Sequence, residues 1–222
     1  MKRCLIAVAV LVTLAVPVIC AADPPRPGPY VSGFIGVTVP SNSDVRTDDF
    51  INGTTFNDRV EYDPGINIGG TGGFDFGFFR IEGEMSYKHA EIKSITDQDT
   101  GTRFVHPDGS LGALAFMFNG FFDLHNETPV TPYFGGGIGF AALHQSDTTS
   151  IDQGLLYPED DDAVFAWQAG AGLEIALNRR LSLDLAYRYF ATSLARFDED
   201  LLSATERKFE SHNGTVGLRV KF

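Results

Sequence analysis

Hydrophobic and polar residues alternate one by one through much of the chain. From Ile66 to Phe76 the apolar positions are Ile66, Ile68, Phe74 and Phe76, with Asn67, Gly69, Thr71, Gly73 and Asp75 between them. After Gly77 the pattern resumes, with Phe79, Ile81, Met85 and Tyr87 set against Arg80, Glu82, Glu84, Ser86 and Lys88. Successive side chains of a strand point to opposite faces. The two runs therefore predict a hairpin with one apolar face and one face carrying full charges of both signs. The same test places eight strands, near 29–39, 64–76, 78–93, 110–123, 130–143, 163–177, 180–194 and 211–222. The connections alternate in length. Short ones fall at 76–78, 124–128 and 178–180, and long ones near 40–63, 94–109, 144–162 and 195–210.

In a soluble sheet the apolar face would turn inward, giving a sandwich or a barrel with a greasy core. A membrane barrel inverts the pattern, apolar toward lipid and polar toward the lumen. Three features favour inversion: small residues on the charged face, Phe, Tyr and Leu on the other over about ten residues, the span of a tilted membrane strand, and an export signal ahead of the strands. The fold expected is all-β: an eight-stranded antiparallel transmembrane barrel with short periplasmic turns and long extracellular loops. Lipid offers the backbone no hydrogen-bond partner, so the last strand must pair with the first.

The export signal is read at residues 1–22. Lys2 and Arg3 precede an apolar run from Cys4 to Ile19, then the small residues Cys20-Ala21-Ala22 and the polar break Asp23-Pro24-Pro25. That is the layout of a secretory signal peptide, too short for a spanning helix of about 20 apolar residues. Ile19 is bulky where a lipid-attachment signal before Cys20 would have a small residue. Cleavage leaves residues 23–222 as one barrel domain without cysteine, so neither a disulfide nor a thiolate is available. It also removes Lys2 and Arg3, taking the formal charge from −12 to −14. An acidic chain of this kind is not a nucleic-acid binder, and no cofactor is expected.

At the C-terminal end Val216, Leu218, Val220 and Phe222 share one face, and Thr215, Gly217, Arg219 and Lys221 share the other. The stretch from Thr131 to Phe140, TPYFGGGIGF, resembles a strand signature of small outer-membrane β-barrel proteins. FAWQAGAGLE from Phe165, LSLDLAYRYF from Leu181 and VGLRVKF from Val216 continue the resemblance. The chain is similar to the opacity-protein-like family, related in architecture to the OmpA membrane domain, here without a peptidoglycan-binding domain. The resemblance implies a place in the cell outer membrane among lipid and lipopolysaccharide. It also implies that Val216, Leu218, Val220 and Phe222 are read by the outer-membrane assembly machinery.

Alternation sends ten charges into the lumen: Asp75, Arg80, Glu82, Glu84, Lys88, Glu174, Asp184, Arg188, Arg219 and Lys221. An eight-stranded barrel is just wide enough to hold its own side chains, so these are expected to pair, with glycines 69, 73, 135, 137, 170 and 172 making room for Arg and Glu. Phe165, Trp167, Tyr187 and Tyr189 are expected to face lipid or its interface. The long connections are acidic, most densely at Glu159-Asp160-Asp161-Asp162 with Asp147 and Asp152 nearby. That segment lacks the spacing and turn glycine of a calcium loop and reads as a solvated loop, with divalent bridging to lipopolysaccharide left open. The function expected is non-enzymatic, structural or adhesive, through loops that meet a host or surface ligand. The alternatives are a narrow porin-like channel and a lipid-active barrel hydrolase using His144 and Ser146 as base and nucleophile.

Overall fold

The computed structural model describes residues 27–49, 54–99, 101–105, 109–124, 128–146, 148–150, 154–157, 160–200 and 203–222; the expected signal segment, Glu159, Asp147 and Asp152 lie outside them. Eight long strands form the barrel: β1 Gly28–Pro40, β2 Gly65–Asp75, β3 Phe79–Asp97, β4 Ser110–Asp123, β5 Val130–Gln145, β6 Asp160–Ala176, β7 Leu181–Thr192 and β8 Glu210–Lys221. Each pairs antiparallel with the next in the chain. β8 closes on β1 from Tyr30↔Lys221 to Pro40↔Ser211, which leaves no open edge inside the membrane.

The turns at one end are tight. Gly77 takes φ 102°, open to glycine at little cost, and its N–H donates to Asp75 Oδ1 at 2.7 Å. At the β6–β7 turn of the same end the N–H groups of Arg180 and Leu181 both donate to Asn178 Oδ1 at 2.9 Å.

The other end departs from expectation. The long connections fold largely as hairpins that carry the wall upward. Ser43–Asp49 pairs with Thr54–Tyr62, which pairs with the upper part of β3, and β3 pairs in turn with Arg103–Val105. Ala195–Asp200 pairs with Ser203–Arg207, which joins Ser43–Asp49 from Ser203↔Asp49 to Glu206↔Arg46. Three connections thus share one sheet above the barrel. Thr148–Ser150 and Gly154–Tyr157 form a separate two-stranded piece. Asp160–Asp162 of the acidic run belong to β6, not to a loop.

The two faces are assigned as the alternation predicts. Outside stand Ile35, Met85, Phe116, Phe118, Ile138, Phe140 and Leu218, with Phe140 67 % exposed. Inside, Arg80 is 0 % and Lys88 2 % exposed. Two bands of rings mark the membrane borders. Near the tight turns lie Phe74–Phe76, Phe79–Phe122 and Phe122–Phe134, with centroids 4.7, 5.3 and 5.8 Å apart. Toward the hairpins lie Tyr87–His89, Trp167–Tyr189 and Tyr187–His212 at 6.2, 5.4 and 6.1 Å.

Above the second band the pattern reverses. On β3 the exposed outward residues change from Met85 and Tyr87 to Glu91 and Lys93, and the buried inward ones from Glu84 and Lys88 to Ala90 and Ile92. Water replaces lipid outside the wall, so the ordinary soluble arrangement returns. The inward residues there form an apolar cluster that includes Val45, Val60, Ile92, Ile95, Leu111, Leu143, Val164, Phe190 and Phe209.

Candidate functional site

The lower lumen is filled by charge. Glu174 on β6 accepts from the Arg219 guanidinium, from Arg80 at 3.2 Å and from the Lys221 ammonium at 3.2 Å. Lys221 also holds Asp75 at 2.7 Å, and Arg219 reaches Asp184 at 2.8 Å. Asp184 accepts the Tyr133 hydroxyl at 2.7 Å. A second hub lies on β3. Glu84 Oε2 accepts from Arg188, from Asn119 Nδ2 at 3.0 Å and from Gln168 Nε2 at 2.9 Å. Arg188 also approaches Glu82 at 3.4 Å, and Tyr30 donates to Glu82 at 2.7 Å. Guanidinium planes lie over rings, Arg80 over Tyr133 at 4.3 Å and Arg219 over Tyr30 at 4.7 Å, contacts that are strongest when desolvated.

All ten charges singled out in the sequence sit in this interior, buried. Others join them: Asp123, 3.4 Å from Arg80, and Tyr30, Asn119, Tyr133 and Gln168. Each lies on the inward parity of its strand, so the alternation that selected the ten could have found these too. Lys88 caps the network. It donates to Ser86 at 2.9 Å, and its ammonium lies 4.1 Å from the centre of the Phe190 ring. Phe190 belongs to the apolar cluster above, so this contact marks the seam between the two halves of the lumen.

The glycines do a different job from the one expected. A Cβ on Gly172 would lie 2.5 Å from the Tyr133 hydroxyl, one on Gly69 2.6 Å from the Phe34 ring, one on Gly135 2.8 Å from Phe121, and one on Gly137 would collide with the Asn119 Oδ1, 2.8 Å from its Cγ. Gly73 clears the Tyr30 hydroxyl and Glu82 Cβ, and Gly170 clears Arg188. All six glycines also clear a main-chain carbonyl of an adjoining strand, and the side chains they clear are mostly rings and an amide. Room for Arg or Glu is made only at Gly170 and Gly73.

Outside the lumen, Trp167, Tyr187 and Phe165 are exposed on the outer face and Tyr189 is half-buried in the upper ring band. Val216, Leu218, Val220 and Phe222 also face outward, Phe222 at 77 %. His144 is exposed at the outer end of β5, and the Ser146 hydroxyl accepts from the Ser110 N–H at 2.8 Å. Among the described residues no group of three His, Cys, Asp or Glu is placed to hold a metal ion.

A family model for the outer membrane protein beta-barrel domain matches residues 6–222. The chain is 27 % identical over 224 residues to the outer membrane protein PagN of Salmonella typhimurium, covering 89 % of this chain and 91 % of that one. Among solved structures, OprG of Pseudomonas aeruginosa superposes with TM-score 0.60 at 14 % identity, covering 91 % of this chain and 99 % of the other. The Neisserial surface protein A superposes at 0.51 and 15 %, covering 88 % and 97 %. At such identities these last two are likenesses of fold. With the closed wall, the inverted faces and the two ring bands, the family model and the PagN match place the molecule among lipid and lipopolysaccharide: the chain belongs to the outer membrane protein beta-barrel domain family and resides in the outer membrane.

Proposed function

We propose that this barrel is a non-enzymatic surface-interaction protein, whose lumen is a structural plug and whose hairpins above the membrane meet the partner. The observation that carries the reading is the filling of the lumen at two levels. Charged groups interlock below, and side chains such as Leu111, Leu143 and Phe190, all fully buried, fill it above. A wall sealed on itself leaves the joined hairpins as the part offered to the exterior, and loops on a rigid scaffold are where binding concentrates. In the same reading residues 1–22 are the export signal. Val216, Leu218, Val220 and Phe222 are the strand face engaged by the assembly machinery before lipid covers it.

The test has two arms. The folded barrel, verified by its gel-mobility shift on boiling, is placed in a planar bilayer and is expected to pass no discrete current. Bacteria carrying it are compared, in adhesion to host cells, with bacteria carrying a variant whose 43–62 hairpin is shortened, and the variant is expected to adhere less. Steady current steps from the intact barrel, with adhesion unchanged, would replace this reading by a channel.

A further inference from the structure

Lys88 stands apart from the other lumen cations. Arg80, Arg188, Arg219 and Lys221 each hold at least one carboxylate. Lys88 is as buried as they are, yet among the described residues its direct partners are the Ser86 hydroxyl and the Phe190 ring. An ammonium carries three N–H donors, and only one of them is taken by Ser86. A buried charge with donors left over is costly unless something accepts them.

The neighbouring strand carries the matching deficit. Asn67 is the register partner of Lys88 on β2, and both are buried on the inward face. The contacts of Asn213 orient the Asn67 amide. Asn213 Nδ2 donates to the carbonyls of Arg188 and Ser211 at 3.2 Å and to the Ser211 hydroxyl at 3.1 Å. That leaves Asn213 Oδ1 to accept from Asn67 Nδ2, at 3.3 Å. Asn67 Oδ1 is thereby fixed as an acceptor, and it is buried without a protein partner. The hydroxyls of Thr38 on β1 and Thr71 on β2 are buried and equally unpartnered.

Polarity is thus divided around the waist of the lumen. β1, β2 and β8 turn Thr38, Asn67, Thr71, Ser211 and Asn213 inward, whereas β4 and β5 turn in Ala113, Ala115, Met117, Ala141 and Leu143. Two chemistries answer to the spare donors of Lys88. A small anion would accept from the ammonium but would face Asn67 Oδ1. It would also enter a lumen that holds, among the described residues, six buried carboxylates against five buried cations. A water molecule accepts from Lys88 and donates to Asn67 Oδ1 at once, and it serves a threonine hydroxyl from either side.

We propose that the waist of the lumen is a hydration site, in which ordered water bridges the Lys88 ammonium to Asn67 Oδ1 and continues to the Thr71 and Thr38 hydroxyls. This water takes the place of the carboxylate that each other lumen cation has. The seam beneath the apolar cluster is wet on the side of β1 and β2.

The test is a high-resolution crystal structure of the folded barrel, grown once with chloride and once with bromide. The expected result is an oxygen peak within hydrogen-bond distance of both Lys88 Nζ and Asn67 Oδ1, with no anomalous bromide signal there. A bromide peak would overturn the proposal in favour of an anion site. A direct bond between Lys88 and Asn67, with no density between them, would overturn it in favour of a dry seam. In nanodiscs, the Asn67 side-chain amide is expected to show cross-relaxation with long-lived water by NMR. The equally buried Gln168 amide, which is bonded to Glu84 and Asn119, is expected to show none, and equal signals at the two would overturn a localised site. Lys88→Met is expected to abolish the Asn67 signal, and its persistence would remove Lys88 from the site. Should that variant not fold, the comparison of Asn67 with Gln168 in the unaltered chain decides alone.

Discussion

Lys221 holds Asp75 at 2.7 Å across the lumen floor, joining β8 to β2 past β1, the strand that separates them in the wall. Both groups are buried, so the pair fixes the closure from inside, in addition to the backbone ladder. Breaking a buried pair from one side leaves a desolvated charge and costs about 3–5 kcal/mol. Lys221→Met is therefore expected to lose an amount near the lower end of that range, since Asp75 keeps the bond from the Gly77 N–H. The double variant K221M/D75N should recover part of the loss. Urea unfolding followed by fluorescence of Trp167, the single tryptophan, measures both; a single-variant loss below about 0.5 kcal/mol would mean the pair is no better than a surface one.

The stacked filling of the lumen predicts redundancy. Arg188→Ala removes the guanidinium between Glu82 and Glu84 but leaves Leu111, Leu143 and Phe190 in place above. L143A/F190A opens the upper half and leaves the charges below. Each alone is expected to remain without current in a planar bilayer, and the triple variant to show discrete steps. Current from R188A alone would mean that the apolar half does not seal.

Two glycines give a matched comparison. A methyl group on Gly172 would meet the Tyr133 hydroxyl at 2.5 Å, and Tyr133 is bonded to Asp184. One on Gly72, which faces outward, meets nothing within 4 Å. Gly172→Ala is expected to destabilise by about 1–3 kcal/mol. Gly72→Ala is expected to be neutral, or to stabilise by up to about 1 kcal/mol through the unfolded chain. Equal urea midpoints for the two variants would contradict the packing described for Tyr133.

The outer sheet predicts cooperation between distant connections. Ser203–Arg207 covers one edge of Ser43–Asp49. Shortening the 195–207 hairpin is expected to speed amide exchange at residues 46–49 while the barrel strands keep their protection. Unchanged exchange there would mean that the two hairpins stand independently.

The membrane part of the fold was legible because lipid imposes one rule along each strand. Ile81, Met85 and Tyr87 against Arg80, Glu82 and Glu84 leave no choice of face, and the predicted strand ends fall within a few residues of the observed ones. The charged lumen followed from the same parity. Its partners Asp123 and Tyr133 needed only the same test applied to β4 and β5. Pairing within the lumen was not legible, because side chains such as Arg219 and Glu174 meet across strands that no local pattern relates. The hairpin extensions were missed for a different reason. From Glu91 to Ile95 the apolar parity changes sides, and a reading that keeps one parity sees the pattern end and infers a loop. The change itself marks where β3 leaves the membrane.

That change of parity also bears on how the molecule reaches its final position. While a hairpin is crossing the hydrocarbon layer, residues such as Ile92, Leu111, Leu143 and Val164 gain little by leaving lipid, which is as apolar as the cluster they later form. Once they emerge, water stands outside the wall, and each buried Leu or Ile becomes worth about 1.5–3 kcal/mol. The upper half then works as a ratchet: withdrawing any one hairpin would open a shared apolar interior to water, so insertion, once completed, holds itself in place from the far side.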